Sequence, residues 1–219
     1  MTSSAGRTAL KVSEIFLSLQ GESSRVGLPT VFVRLTGCPL RCTWCDTAYA
    51  FQGGRSMALP EVLAVVASYG VSRVCVTGGE PLAQSGCLSL LRELGDAGHS
   101  VSLETSGALD IAGVDRRVSR IVDLKAPGSG ECARNRWQNL EHLTPADEVK
   151  FVVRDRVDYD WACRQISERR LAAICPLLLS PVAGDLAPTT LAGWIVEDRL
   201  PVRFQLQLHK VLWGDARSR

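Results

Sequence analysis

The sequence has no apolar run approaching the ~18 residues that a membrane helix needs, so no helical membrane span is expected. The opening stretch, Met1 to Arg7, is polar and no long apolar segment follows it, which points to a cytoplasmic rather than a secreted chain. Charge of one sign is also scarce: 25 Lys and Arg face 23 Asp and Glu, leaving +2. So small a surplus gives no footing for direct nucleic-acid binding. Internal repeats, low-complexity tracts and evident linkers are missing too. With 46% apolar and 22% charged residues, the composition excludes a disordered or collagen-like chain. A chain of 219 residues buries roughly 70% of its unfolded surface, enough for one core. A single domain over 1–219 is therefore expected, with a flexible N-terminus at 1–8 and a tail at 214–219.

Cysteine, by contrast, is plentiful. There are eight: Cys38, Cys42, Cys45, Cys75, Cys87, Cys132, Cys163 and Cys175. Without an export signal, reduced thiols are expected rather than disulfides. Three fall together as Cys38-Pro-Leu-Arg-Cys42-Thr-Trp-Cys45. The other five show no partner spacing, and Cys75 sits in a buried strand pattern where cysteine serves as a small hydrophobe. The arginine pairs at 116–117 and 169–170 read as solvated faces.

Hydrophobic patterning alternates between strand and helix. Residues 31–36, 74–77, 101–104, 121–124, 149–153, 177–179 and 204–208 read as strands. Residues 60–69 read as a helix opened by Pro60, Leu88, Leu91 and Leu94 form a helical stripe, and helices are predicted over 158–170 and 189–198, with Thr189 as cap. This order predicts an α/β fold with a mostly parallel sheet and right-handed crossovers. An eightfold barrel needs about 250 residues, so an incomplete parallel β/α barrel fits better. The unusual residues collect after the strands: Cys38, then Thr77-Gly78-Gly79-Glu80, Glu104-Thr105-Ser106-Gly107, Asp123 and Lys125, Ser180-Pro181, and His209. Polar turns at strand ends are ordinary, but this is also where parallel sheets bind ligands.

Three clustered cysteines leave two chemistries open. A structural zinc site wants four ligands, so a distant Cys or His would have to complete it. A four-iron four-sulfur cluster held by three thiolates instead leaves one iron open for a substrate or cofactor.

The run Cys38-xxx-Cys42-xx-Cys45, with Trp44 before the last cysteine, resembles the signature of radical S-adenosylmethionine enzymes. The resemblance implies that S-adenosylmethionine chelates the open iron and is cleaved by one electron to a deoxyadenosyl radical. The chain positions this chemistry and shields it from water. Thr77-Gly78-Gly79-Glu80-Pro81 resembles the glycine-glycine-glutamate motif that holds the methionine end in that superfamily; glycine there permits close backbone approach.

A narrower resemblance spans roughly residues 12–213. Glu14-Ile-Phe-x-Ser-Leu-Gln20-Gly21-Glu22, Arg34-Leu-x-Gly-Cys38, Cys45-Asp46-Thr47, Glu104-Thr-Ser-Gly107, Asp123-Leu-Lys125, Glu148-Val-Lys150 and Gln207-Leu-His209-Lys210 occur in order, as in the 7-carboxy-7-deazaguanine synthase family. That resemblance implies a lyase converting 6-carboxy-5,6,7,8-tetrahydropterin into 7-carboxy-7-deazaguanine with loss of ammonia, on the route to queuosine. It implies a four-iron four-sulfur cluster on Cys38, Cys42 and Cys45, S-adenosylmethionine, and Mg2+ held by Thr47. It places S-adenosylmethionine along Trp44, Cys45, Asp46, Gly79, Asp123, Leu124, Lys125, Ser180, Pro181, Val182 and Ala183. Substrate contacts fall on Leu19, Gln20, Gly21, Glu22, Arg34, Thr77, Glu104, Ser106 and His209. Arg34 is suited to clamp a carboxylate with two parallel hydrogen bonds, or to pair on the surface. Relatives often carry asparagine where Ser106 stands. An electron donor such as a flavodoxin or ferredoxin and a homodimer are implied as well. An activating enzyme that makes a glycyl radical on a partner protein shares the cysteine spacing and is the alternative reading. Direct modification of transfer RNA is disfavoured by the small net charge.

Overall fold

The computed structural model describes residues 9–214 and 216–219; the predicted flexible segment 1–8 lies outside the described residues. Among the described residues, nine strands form one sheet and five α-helices flank it. In chain order these are β1 (Ala9–Leu19), β2 (Pro29–Leu35), β3 (Arg55–Ala58), α1 (Leu59–Ser68), β4 (Arg73–Gly78), α2 (Cys87–Asp96) and β5 (Ser100–Thr105). There follow β6 (Ser119–Asp123), β7 (Glu148–Val153), α3 (Arg156–Glu168), β8 (Leu177–Pro181), α4 (Pro188–Glu197), β9 (Arg203–Phe204) and α5 (Leu208–Trp213). The sheet order is β3-β1-β2-β4-β5-β6-β7-β8-β9. Pairing is parallel from β2 through β9, while β1 runs antiparallel to both β2 and β3. The two edge strands, β3 and β9, do not pair, so the barrel stays open.

Two-residue alternation divides each strand between two environments. Val31, Val33 and Leu35 of β2, Val74 and Val76 of β4, Val101 and Leu103 of β5, and Val149, Phe151 and Val153 of β7 join the core that the helices cover. The helices supply Val62 and Val66 from α1, Leu90, Leu91 and Leu94 from α2, and Tyr159, Ala162 and Ile166 from α3. The intervening positions point to the concave face. Near the start of β2 this face is apolar: Phe16 stacks on Phe32 at 5.1 Å between centroids, with Cys75 beneath. Toward the strand ends it turns polar, with Arg34, Thr77, Glu104, Asp123 and Lys150.

Several expectations need correction. The strand predicted over 204–208 is only Arg203–Phe204, and His209 stands in α5. Gln205 N still donates to Leu179 O at 3.0 Å while its side chain bonds Ser23; beyond it Leu208 N donates to Gly21 O at 2.9 Å, where α5 begins. Thr189 lies inside α4; Ala187 precedes it and Pro188 opens the helix, where its missing N–H costs nothing. The antiparallel β1 and β3 were not predicted as strands. Arg169 and Arg170 are exposed as expected, and the Arg169 guanidinium also lies 3.6 Å over the Trp137 ring. Among the described residues, no helix is long and apolar enough to cross a membrane.

Candidate active site

Gly37 opens the cysteine loop with φ +100°, a left-handed conformation that side chains resist. Its N–H donates to Ala50 O at 2.8 Å, and its carbonyl accepts from Glu80 N at 2.8 Å. Further along, Thr43 N donates to Ser129 O at 3.0 Å and Thr43 Oγ1 to Gly128 O at 2.9 Å. The loop is thus tied down on both sides of Cys38, Cys42 and Cys45, all of which are half-buried free thiols. Burial pushes the Cys38 and Cys42 thiols up; Lys125 beside Cys42 works against that rise. The backbone of the β4 loop presses directly on this one. A Cβ on Gly79 would strike Gly37 O and come within 2.7 Å of Cys38 Cβ, so only glycine fits.

The three cysteines form one wall of a cavity of about 580 Å³ at the carboxyl ends of the parallel strands. That volume suits a medium-sized ligand or two small ones. The opposite wall comes from the loop after β1. Gln20 Nε2 donates to Glu104 Oε1 at 3.3 Å, and Thr77 Oγ1 donates to Glu104 Oε2 at 3.2 Å. Contacts that long are weak and readily exchanged for a ligand's own donors. Glu22 is held by Lys150 Nζ at 2.6 Å and by Gln207 Nε2 at 2.8 Å. Burial would raise the Glu22 carboxyl, but the Lys150 charge and these two hydrogen bonds hold it well below the carboxylate range. Arg34 Nε donates to Glu14 Oε1 at 2.7 Å, and Tyr49 Oη donates to the same oxygen at 2.8 Å. Among the described residues the two terminal amines of Arg34 have no hydrogen-bond partner, and the residue lines the cavity.

Most of the predicted residues meet here. Cys38, Cys42, Cys45 and Thr47 line the cavity, with Thr47 Oγ1 3.8 Å from Cys45 Sγ. So do Trp44, Asp46, Gly79, Asp123, Lys125, Val182 and Ala183. Gln20, Gly21, Glu22, Arg34, Thr77, Glu104, Ser106 and His209 complete the set. A Cβ on Gly21 would collide with His209 Nδ1, so glycine lets α5 close against the loop.

Four residues stand outside the lining. Leu19 ends β1, Leu124 packs into the helix-side core, and Ser180 and Pro181 are buried in β8. The carboxyl of Glu80 also turns away from the cavity. It accepts from Leu82 N, Thr105 Oγ1, Ser106 N and Ser106 Oγ, and so ties the β4 loop to the β5 loop. Sequence reasoning assigned no role to Lys150, Gln207, Lys210, Asp185 or Arg219, all of which line the cavity. Lys150 and Gln207 fall within the Glu148-Val-Lys150 and Gln207-Leu-His209-Lys210 motifs, yet only the fold shows that they meet Glu22.

The residues fit a cluster better than a single ion. Three half-buried free thiols on one cavity wall are the donor set of a four-iron four-sulfur cluster with one iron left open. The Radical SAM superfamily profile matches residues 32–129, which run from β2 through the cysteine loop, β4, β5 and β6. The chain is 46% identical over 214 residues to the 7-carboxy-7-deazaguanine synthase of Chlorobaculum tepidum, covering 95% of this chain and 97% of that one. This chain belongs to the 7-carboxy-7-deazaguanine synthase family. The synthase of Koribacter versatilis is 42% identical over 219 residues, with 93% and 97% coverage. The crystal structure of QueE from Escherichia coli shares the fold, with a TM-score of 0.73 over 93% of this chain and 96% of that one at 24% identity. As a member of the 7-carboxy-7-deazaguanine synthase family, the protein is a radical S-adenosylmethionine enzyme of 7-deazapurine biosynthesis. Its family carries a four-iron four-sulfur cluster and S-adenosylmethionine. The activating-enzyme and zinc-module alternatives are thereby set aside.

Proposed function

We propose that the protein converts 6-carboxy-5,6,7,8-tetrahydropterin into 7-carboxy-7-deazaguanine with release of ammonia, on the route to queuosine. The observation that carries this reading is one cavity with the three-cysteine wall on one side and Gln20, Glu22, Arg34 and Glu104 on the other. When bound, the cluster and S-adenosylmethionine supply the radical chemistry; the chain supplies binding, orientation and exclusion of water.

Arg34, fixed by Glu14, takes the substrate carboxylate through its two terminal amines. Glu22, Glu104 and the Gln20 amide read the amino-pyrimidine edge, carboxylates accepting and the amide both giving and accepting. Thr77, Ser106 and His209, with the backbone of Gly21, complete the substrate side, and Leu19 leads the chain into it from β1. Thr47 contributes one oxygen to Mg2+, whose remaining ligands come from substrate and water. S-adenosylmethionine lies along Trp44, Cys45, Asp46, Gly79, Asp123, Lys125, Val182 and Ala183, and Leu124, Ser180 and Pro181 back that wall. A flavodoxin or ferredoxin supplies the electron. The whole chain acts as one radical S-adenosylmethionine domain, working as a homodimer in the cytoplasm.

The test is anaerobic incubation of reconstituted protein with a reductant, S-adenosylmethionine and the carboxytetrahydropterin, with and without magnesium. A deazapurine product found by mass spectrometry, with S-adenosylmethionine unconsumed and a rate raised by magnesium, is expected. No deazapurine from cluster-loaded protein would remove the proposal.

A further inference from the structure

The loop that follows β1 is gripped residue by residue. From β7, Glu148 accepts from Ser24 N at 3.1 Å and from the Ser24 hydroxyl. From the segment before α5, Gln205 accepts from Ser23 N and donates to Ser23 O, both at 2.8 Å. Two positions beyond Glu148, on the same face of β7, Lys150 Nζ reaches Glu22 Oε2 at 2.6 Å. The same ammonium lies 3.5 Å from Asp123 Oδ2 on β6, directly across the ladder from Lys150. Lys125 meets that oxygen as well, at 3.1 Å.

Lys150 therefore stands between the two halves of the cavity. Glu22 belongs to the wall formed by the β1 loop, and Asp123 to the wall beside Lys125 and Cys42. An ammonium is strongly hydrated in water, and here the Lys150 side chain is only 10% exposed. Two carboxyl groups replace that hydration, and a shift of either one changes how well the ammonium is held. Asp123 Oδ1 has no hydrogen-bond partner among the described residues, so its Oδ2 contacts with the two lysines are what orient it.

We propose that Lys150 is a positioning residue that ties Glu22 on the substrate side to Asp123 on the cofactor side, so that filling one pocket strengthens the other. The inference rests on the substrate and cofactor sides assigned above. Such a link is a coupling between two binding sites and must be reciprocal. Each ligand then raises the other's affinity by the same factor, about fivefold or more.

The experiment is anaerobic equilibrium dialysis of cluster-loaded protein with S-adenosylmethionine and the carboxytetrahydropterin, singly and together. Wild type should show equal mutual enhancement. Lys150→Met should bring the enhancement close to one, and Lys150→Arg should keep most of it. The double variant Glu22→Gln/Lys150→Met leaves no buried carboxylate without its partner, and it carries the test if Lys150→Met alone does not fold. It too should lack the enhancement. A residue that only supports the fold would weaken both ligands and leave the factor intact. Wild-type coupling persisting in the Lys150 variants, or a wild type that binds both ligands independently, would overturn the inference and leave the proposed reaction standing. A wild type that binds S-adenosylmethionine but not the pterin would overturn both.

Discussion

Glu80 is wholly buried, and each hydrogen bond its carboxyl makes goes to the protein itself. The sequence motif pointed at this residue as part of a ligand-holding segment. Its side chain locks Thr105 and Ser106 against the turn that begins at Gly79. Ser106 illustrates the same division: its hydroxyl donates to Glu80 Oε2 at 2.5 Å although the residue also borders the cavity. Truncation by Glu80→Ala leaves four donors without their carboxylate acceptor. The expected loss is about 2–4 kcal/mol of unfolding free energy, read from urea denaturation, with Glu80→Gln intermediate. A Glu80→Ala protein as stable as wild type would show that these contacts do not hold the turn.

The elements that were legible in the sequence are those whose patterning matches their burial. Val62 and Val66 of α1 and Leu91 and Leu94 of α2 repeat at helical spacing, and both stripes face the sheet. β1 was missed because its burial does not alternate cleanly; its middle residues are half-exposed and its register shifts between Val12 and Glu14. The end of the chain was misread for a related reason. Phe204 to Leu208 alternates like a strand, but contacts with Ser23 and Gly21 bend it away after two residues. Between elements, the β4 turn presses closely on the cysteine loop. Gly79→Ala places a methyl against Gly37 O and Cys38 Cβ, and the loop must give way. Iron and sulfide per chain after anaerobic reconstitution should fall, with stability reduced by about 1–3 kcal/mol. Full cluster loading of Gly79→Ala would show that this contact does not set the cysteine positions.

Across the whole molecule, stability and chemistry occupy opposite ends of the sheet, the usual division in parallel α/β folds. At the end away from the cavity, Arg120 and Asp147 form a buried pair at 2.7 Å that staples β6 to β7. Burial would raise the Asp147 carboxyl, but hydrogen bonds from Arg120 and Thr144 bring it below its ordinary value. A carboxyl lowered in the folded state stabilises fully above its unfolded-state range and loses that contribution as pH falls through the folded value. Urea midpoints should therefore drop as pH is lowered from 6 toward 3. Arg120→Leu should cost about 3 kcal/mol at neutral pH, because it leaves a buried carboxylate without its opposite charge, held only by neutral hydrogen bonds. The difference between wild type and Arg120→Leu should shrink as Asp147 takes up its proton. A difference that stays constant with pH would exclude the pair as its source.

Local sequence determined the fold class, the cysteine loop and most of the cavity lining. Strand and helix periodicity, turn glycines and cysteine spacing are short-range features, and parallel topology places strand-end residues together almost regardless of detail. Tertiary structure alone decided which of those residues work in pairs. Glu22 and Lys150 lie 128 positions apart, and Glu22 and Gln207 lie 185 apart. Such partners bear no relation to one another along the chain; only the order in which the strands line up in the sheet brings their charges within reach.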